Sequence, residues 1–305
     1  MPNDTIEKRV QFDFEIAFSN GGDLQGQDFR LDIEGDDIDD QMLAERIVRE
    51  LRLLMVGTVL IRNKRIIEEP HKRANRSVSV MDSEPGVRMI DLSHTIEDGM
   101  ITYRGLPAPL ICDFLSRENS KRSYAEGTSF HIGKIEMVAN TGTYLDSPFH
   151  RFEHGNDLSA LALSSTANLE GVIVRVEGSR HRAIDREIFL PYDLNGKAVL
   201  VHTGWARHWR TDRYFEAHPF LTASAAQYLK DQGVRLVGID SLNIDDTSDG
   251  TRPVHSTLLG ADIPIVEHLC NLDRLPTSGV IFNAAPVKVR GMGTFPVRAY
   301  ATVRR

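Results

Sequence analysis

From Val10 the chain alternates strictly, with Val10, Phe12, Phe14, Ile16 and Phe18 on one face and mostly polar residues between them. That is the period-two signature of a half-buried strand. Asn20-Gly21-Gly22 then supplies turn chemistry, and Phe29, Leu31 and Ile33 alternate again, so the spacing predicts a β-hairpin or meander. Met42, Leu43, Ile47, Val48, Leu51 and Leu54 recur at helical spacing instead. The acidic run Asp36 to Asp40 ahead of them suits a helix N-terminus, where the macrodipole favours negative charge. A calcium loop is the competing reading of those carboxylates, but Gly35 is misplaced for the EF-hand pattern. Thr58 to Ile61 and Arg65 to Ile67 read as a short strand pair, and Pro70 to Gly86 loses all periodicity. The expected organisation is a small β-rich unit with one helix over 1–69, a linker over 70–87 and a larger domain over 88–305. The first unit carries no chemical motif and is small for an independent core, so it reads as a packing or oligomerisation appendage.

Beyond Arg88 the texture is mixed α/β. Ala198 to His202 and Val234 to Ile239 are short apolar runs rich in valine, and Leu221 to Gln232 has helical composition just before the second. Helix then strand suggests an α/β crossover, and the second strand ends at Asp240-Ser241, where open α/β sheets place functional groups. With 36 basic and 43 acidic residues, a net charge of -7 and a pI near 5.9, the chain lacks the footprint of a nucleic-acid binder. No apolar run reaches the roughly 20 residues that span a bilayer, and Met-Pro-Asn-Asp does not look like a secretory leader, so a cytoplasmic address is expected. Cys112 and Cys270, far apart and outside any CxxC spacing, read as buried small hydrophobes.

The densest chemistry is Asn140-Thr-Gly-Thr-Tyr-Leu-Asp-Ser-Pro-Phe-His150. Gly142 permits close backbone approach and Pro148 fixes the local path, so Asp146 and His150 can be held in a preset geometry on non-helical backbone. The bland reading is a loop whose Asp caps amides beside an exposed His. A serine triad of Ser147, His150 and Asp146 fails, because three nearly consecutive loop residues do not align as nucleophile, base and orienter. His131 could reach the site across a hairpin but reads more simply as a strand histidine, and His154 as a solvated one. Asp240, Asp245, Asp246 and Asp249 read as a solvated, turn-rich acidic loop.

The segment resembles the signature His-x-Gly-Thr-His-x-Asp-x-Pro-x-His of the cyclase and arylformamidase family, which includes kynurenine formamidase and isatin hydrolase. Gly142, Thr143, Asp146, Pro148 and His150 stand at family positions, while Asn140 and Tyr144 replace its two histidines. Further matches are Ile90-Asp-Leu-Ser-His94, Thr203-Gly-Trp205, Gly238-Ile-Asp-Ser241, His255 with Glu267, and Gly293-Thr-Phe-Pro-Val-Arg298. The resemblance implies a swivelling β/β/α domain in the α/β class, a homodimer or larger assembly, and hydrolysis of a small amide, lactam or lactone by water activated on zinc or manganese.

Carried over by position, the resemblance makes Asp146, His255 and Glu267 ligands of one divalent metal and His150 the general acid/base. Asn and Tyr are poorer ligands for such ions than imidazole, so metal affinity should be reduced. Tyr144 is a candidate donor to a developing oxyanion, Asn140 a substrate-binding residue, and Phe149, Phe152 and Trp205 candidate pocket walls. The lost imidazoles leave open two alternatives: a metal-free ligand-binding or assembly protein without hydrolase activity, and a metal-independent hydrolase using Tyr144 and His150.

Overall fold

The computed structural model describes residues 6–19, 21–33, 35–51, 53, 56–70, 87–179 and 181–304. Two compact units emerge, Met1–Ser79 and Val80–Arg305. In the first, strands β1 (Ile6–Phe18), β2 (Asp23–Asp32) and β3 (Val56–Pro70) form an antiparallel sheet in the order β2-β1-β3. Val10, Phe12, Phe14 and Ile16, the alternating face of β1, pack with Leu43 and Ile47 of helix α1 (Asp40–Glu50). The helix begins where the acidic run ends, with Asp39 capping the Met42 amide, so these carboxylates serve a helix start. The expected strand pair at Thr58 to Ile67 is instead one continuous strand. Asn63 takes a left-handed φ of 51° and its amide donates to Asp13 at 2.6 Å. It thus absorbs one extra residue as a bulge rather than turning the chain back. Residues 71–86 of the expected linker lie outside the described residues, as do Asn20 and Leu54.

The second unit is built on a nine-stranded mixed sheet. Its strands are β4 (Val87–Asp91), β7 (Tyr144–Asp146), β8 (Leu169–Arg175), β10 (Ala198–His202), β12 (Leu236–Ile239), β13 (Ile265–Glu267), β14 (Val280–Asn283), β15 (Thr294–Pro296) and β16 (Tyr300–Arg304). Their order is β15-β7-β13-β12-β10-β8-β14-β16-β4, parallel only from β13 to β8. Side chains alternate between two cores. Val172, Val174, Val199, Val201 and Val237 face one, and Ile173, Ala198, Leu200 and Leu236 face the other. Burial on both faces explains why these central strands read as unbroken apolar runs, each buried Val or Leu contributing about 1.5–3 kcal/mol. Helix α3 (Ala223–Asp231), capped by Thr222, makes the expected crossover between parallel β10 and β12.

Outside this sheet, β5 (Leu110–Leu115) and β6 (Ile132–Glu136) form an exposed hairpin, β9 (Ala183–Ile184) and β11 (Phe220–Leu221) a short parallel pair, and α2 (Arg117–Ser120) and α4 (Pro253–Leu259) are short helices. Cys112 sits on this hairpin and is exposed, which corrects its reading as a buried hydrophobe: β5 and β6 expose side chains on both faces. Cys270 is partly buried, and burial pushes its thiol up to about 12.

Candidate active site

Register brings the site together. In the antiparallel pairing of β7, Tyr144 lies opposite Glu267 of β13, and Asp146 lies opposite both Ile265 and Thr294 of β15. Tyr144 and Asp146, two apart on one strand, project to the same face, and Glu267 and Thr294 meet them there. The Tyr144 hydroxyl donates to Glu267 Oε2 at 2.6 Å, and the Thr294 hydroxyl donates to Asp146 Oδ1. Just beyond β7, Pro148 starts a 3-10 turn that carries His150. Gly293 is needed behind that turn: a Cβ there would lie 2.3 Å from the His150 amide nitrogen.

His150 Nδ1 lies 2.8 Å from the Thr294 oxygen. The threonine's one hydrogen goes to Asp146, so His150 must donate through Nδ1–H, which leaves Nε2 bare whenever the ring is neutral. From helix α4, His255 turns Nε2 toward Asp146 Oδ2 at 3.7 Å and toward Glu267 Oε1 at 3.8 Å. Its Nδ1 faces Asp245 Oδ2 at 2.6 Å, and Asp245 also accepts from the amides of Val254 and His255. Asp245 is therefore fully buried and orients the imidazole, which corrects its reading as part of a solvated acidic loop. Asp240 is buried too, accepting from Thr203 and Gly204 at the end of β10. Only Asp246 and Asp249 of that run remain near solvent.

The electrostatics follow from packing. Burial opposes the charged form of His255, but Asp146 and Asp245 overcome it and raise its pKa to about 10. Burial likewise resists ionisation of Asp146, yet His150, His255 and Thr294 hold its pKa below the ordinary carboxylate value. Glu267, shielded from solvent, is pushed up to about 7 despite His255 beside it. Burial also drives the Tyr144 phenol well above its usual range, so the hydroxyl stays protonated.

Asp146, His150 and His255 place ligand atoms within 4.8 Å of one another, and Asp146 Oδ2 is buried without a hydrogen-bond partner. A tetrahedral cation with bonds of about 2.1 Å keeps its ligand atoms about 3.4 Å apart, close to the spacing of His255 from Asp146 and Glu267. Asp146, His150 and His255 therefore fit a divalent ion, and Glu267 Oε1 stands next to His255 at a comparable spacing. A cavity of about 470 Å³ opens above, bounded by Asn140, Tyr144, His150, His255 and Glu267 on the floor and by Tyr103, Leu106 and arginines on the walls. Phe149, Phe152 and Trp205 do not line it; Trp205 is buried, with its indole N–H donating to the Tyr214 carbonyl. His131 is exposed and pairs with Asp113 across the β5–β6 hairpin at 2.7 Å.

Three participants escape a sequence reading. Asp245 is one and Thr294 the second. The third is His268, fully buried next to Glu267 with a left-handed φ of 57°. Its Nδ1 accepts from the Tyr214 hydroxyl at 2.8 Å, and its Nε2 lies 3.4 Å from the Tyr144 hydroxyl.

Residues 90–246 match the family described as "Putative cyclase". The kynurenine formamidase of Geobacillus thermodenitrificans is 32% identical over 212 residues, covering 69% of this chain and 95% of the relative. That of Bacillus cereus is 26% identical over 211 residues with the same coverage. A solved potential metal-dependent hydrolase with cyclase activity has a TM-score of 0.59 at 25% identity, over 72% of this chain and 99% of that one. Isatin hydrolase A from Labrenzia aggregata shares the fold, with a TM-score of 0.61 at 21% identity over 72% and 94% of the two chains. With a matched profile over half its length and a relative above 30% identity aligned almost end to end, the chain belongs to the cyclase family, as an enzyme of hydrolase type.

Proposed function

We propose that this protein is a metal-dependent hydrolase of a small amide, lactam or lactone, with Asp146, His255 and Glu267 holding one divalent ion and His150 carrying protons. The observation that supports this reading is the convergence of a buried, unpartnered Asp146 oxygen with the His255 Nε2 and Glu267 Oε1 atoms. Asp245 takes the other nitrogen of His255, the outer-shell carboxylate arrangement that fixes a ligating imidazole. Bound there, a divalent ion supplies Lewis acidity, which makes water a competent nucleophile near neutral pH. His255 must shed its proton to serve as a ligand, so metal uptake releases protons.

The chain's own residues account for the rest. His150, lining the cavity with Nε2 free, accepts the proton of the attacking water as its oxygen bonds to the substrate carbonyl carbon. It returns that proton to the leaving nitrogen or oxygen as the old bond breaks. The Tyr144 hydrogen is committed to Glu267, so its first task is to fix that carboxylate. Asn140, which lines the same cavity, is the better-placed neutral donor for the substrate carbonyl.

Metal analysis of chelated and reconstituted protein, with assays on aryl formamides, lactams and lactones, tests the reading. A divalent ion should restore turnover; absence of both bound metal and turnover would overturn it. One observation favours the metal-free alternative: a protonated His255 already places one positive charge among these carboxylates. Thermal stabilisation by small carboxylates, with no response to zinc or manganese, would select that alternative.

A further inference from the structure

The cavity walls carry charge that the hydrolytic chemistry does not use. Arg104, Arg151 and Arg252 all line it. Arg104 is neutralised by Asp212 at 3.0 Å. Arg151 and Arg252, among the described residues, form no salt bridge: Arg151 donates to the Ser256 hydroxyl, and Arg252 to the Asp246 carbonyl at 2.9 Å and to the Tyr103 hydroxyl beside it. Arg252 is also half-buried, and it is held at φ 49° and ψ 59° directly before Pro253. A non-glycine residue rarely adopts that left-handed conformation, and the residue before a proline avoids helical geometry as well. The backbone is thus strained at a residue that lines the cavity, a pairing that marks functional positions.

The acidic floor does not balance this charge, because Asp146 and Asp245 already face His255, and Glu267 is occupied by Tyr144 and the Ile244 amide. A partly desolvated guanidinium without a carboxylate partner favours an anion from solution, and its planar fork fits a carboxylate in two-point contact. Leu106 and the Tyr103 ring supply apolar surface to the same cavity.

We propose that the substrate is an anion, a small amide or lactone with an apolar body whose remote carboxylate is bound by Arg252 while its scissile carbonyl lies over Asp146, His255 and Glu267. This rests on the hydrolase reading for its chemistry, but the anion site can be measured separately.

The test uses the reconstituted full-length enzyme with 4-formamidobenzoate and the uncharged 4-formamidobenzamide, following release of the aminoarene. In parallel, calorimetry compares binding of 4-aminobenzoate and 4-aminobenzamide. The native enzyme should favour the charged member of each pair by on the order of tenfold to a hundredfold. Arg252→Gln should bring both ratios near one, and Arg252→Lys should keep part of the preference, since it retains charge without the fork. Equal treatment of charged and uncharged partners by the native enzyme, or a preference that survives Arg252→Gln, overturns the proposal. Should Arg252→Gln not fold, the native ratios and Arg252→Lys decide. If neither formamide is hydrolysed with any divalent ion, the hydrolase reading fails, while the calorimetric ratio still decides the anion site.

Discussion

Two buried histidines border the floor of the cavity, and their surroundings drive them in opposite directions. His255 sits among the carboxylates of Asp146, Asp245 and Glu267 and is held charged, with a pKa near 10. His268 sits between the hydroxyls of Tyr144 and Tyr214, with the Trp209 ring 5.7 Å away, and burial lowers it to about 3. Burial disfavours the imidazolium at both places. The difference lies in the partners: carboxylates on one side make a cation-binding nest, while phenols on the other make a neutral brace that keeps Tyr144 in place.

The largest change in this contrast should follow removal of the charge behind His255. Asp245→Asn keeps the volume but breaks a buried pair, which should cost about 3 kcal/mol of stability in the metal-free protein. Zinc affinity should also fall by roughly 10- to 100-fold. Chemical denaturation and a competitive zinc titration measure the two effects. Unchanged zinc affinity would remove Asp245 from the site.

Gly293→Ala perturbs the scaffold without entering either nest. The new methyl would press on the His150 backbone, and overpacking of this kind costs about 1–3 kcal/mol. Stability and turnover should fall together, with the pH dependence of stability preserved. A shifted pH dependence would mean that the two nests are coupled through the His150 turn.

These partnerships also show what a sequence reveals and what it hides. The Val10 to Ile16 alternation and the valine-rich central strands were legible because their period is local. So was the Gly142 to His150 loop, whose residue types sit close together. The register that sets Tyr144 against Glu267 and Asp146 against Thr294 joins residues far apart in the chain, and no local period encodes it. Asp245 was hidden among neighbouring acids that differ from it only in burial. His268 follows Glu267 directly, but nothing in the sequence signals its left-handed backbone or its two phenol neighbours. Asn63 illustrates the same limit in the first unit, where one residue type serves a turn or a bulge and long-range pairing decides which.

A smaller effect is expected from the neutral side. A histidine depressed to about 3 in the fold stays unprotonated while the unfolded chain takes up a proton below its ordinary value near 6.5. The stability it contributes is present above that value and is lost as pH falls toward 3. Glu267 acts in the opposite sense: with its pKa raised to about 7, the fold holds an extra proton between there and its ordinary value, so acidification over that window stabilises the fold. The two must be separated by difference. His268→Asn, which tolerates the left-handed backbone, should flatten the acid limb by about 2 kcal/mol between pH 6.5 and 5 in chelated protein. Parallel acid limbs for variant and native protein would show that His268 already ionises in the fold.

The smallest change tests the bridge between the nests. Tyr144→Phe removes one hydroxyl that donates to Glu267 and lies within reach of His268. Its loss should lower stability by only about 1 kcal/mol. The consequence for Glu267 is more specific. The Tyr144 hydrogen bond favours the ionised carboxylate, so without it the pKa should rise further above 7. A cation must compete with that proton, so zinc binding should weaken at pH 7 and recover as the pH is raised toward 9. Weakening of equal size at both pH values would assign Tyr144 a purely steric part. Unchanged binding at pH 7 would remove Glu267 from the ligand set and leave Asp146, His150 and His255 as the remaining cluster.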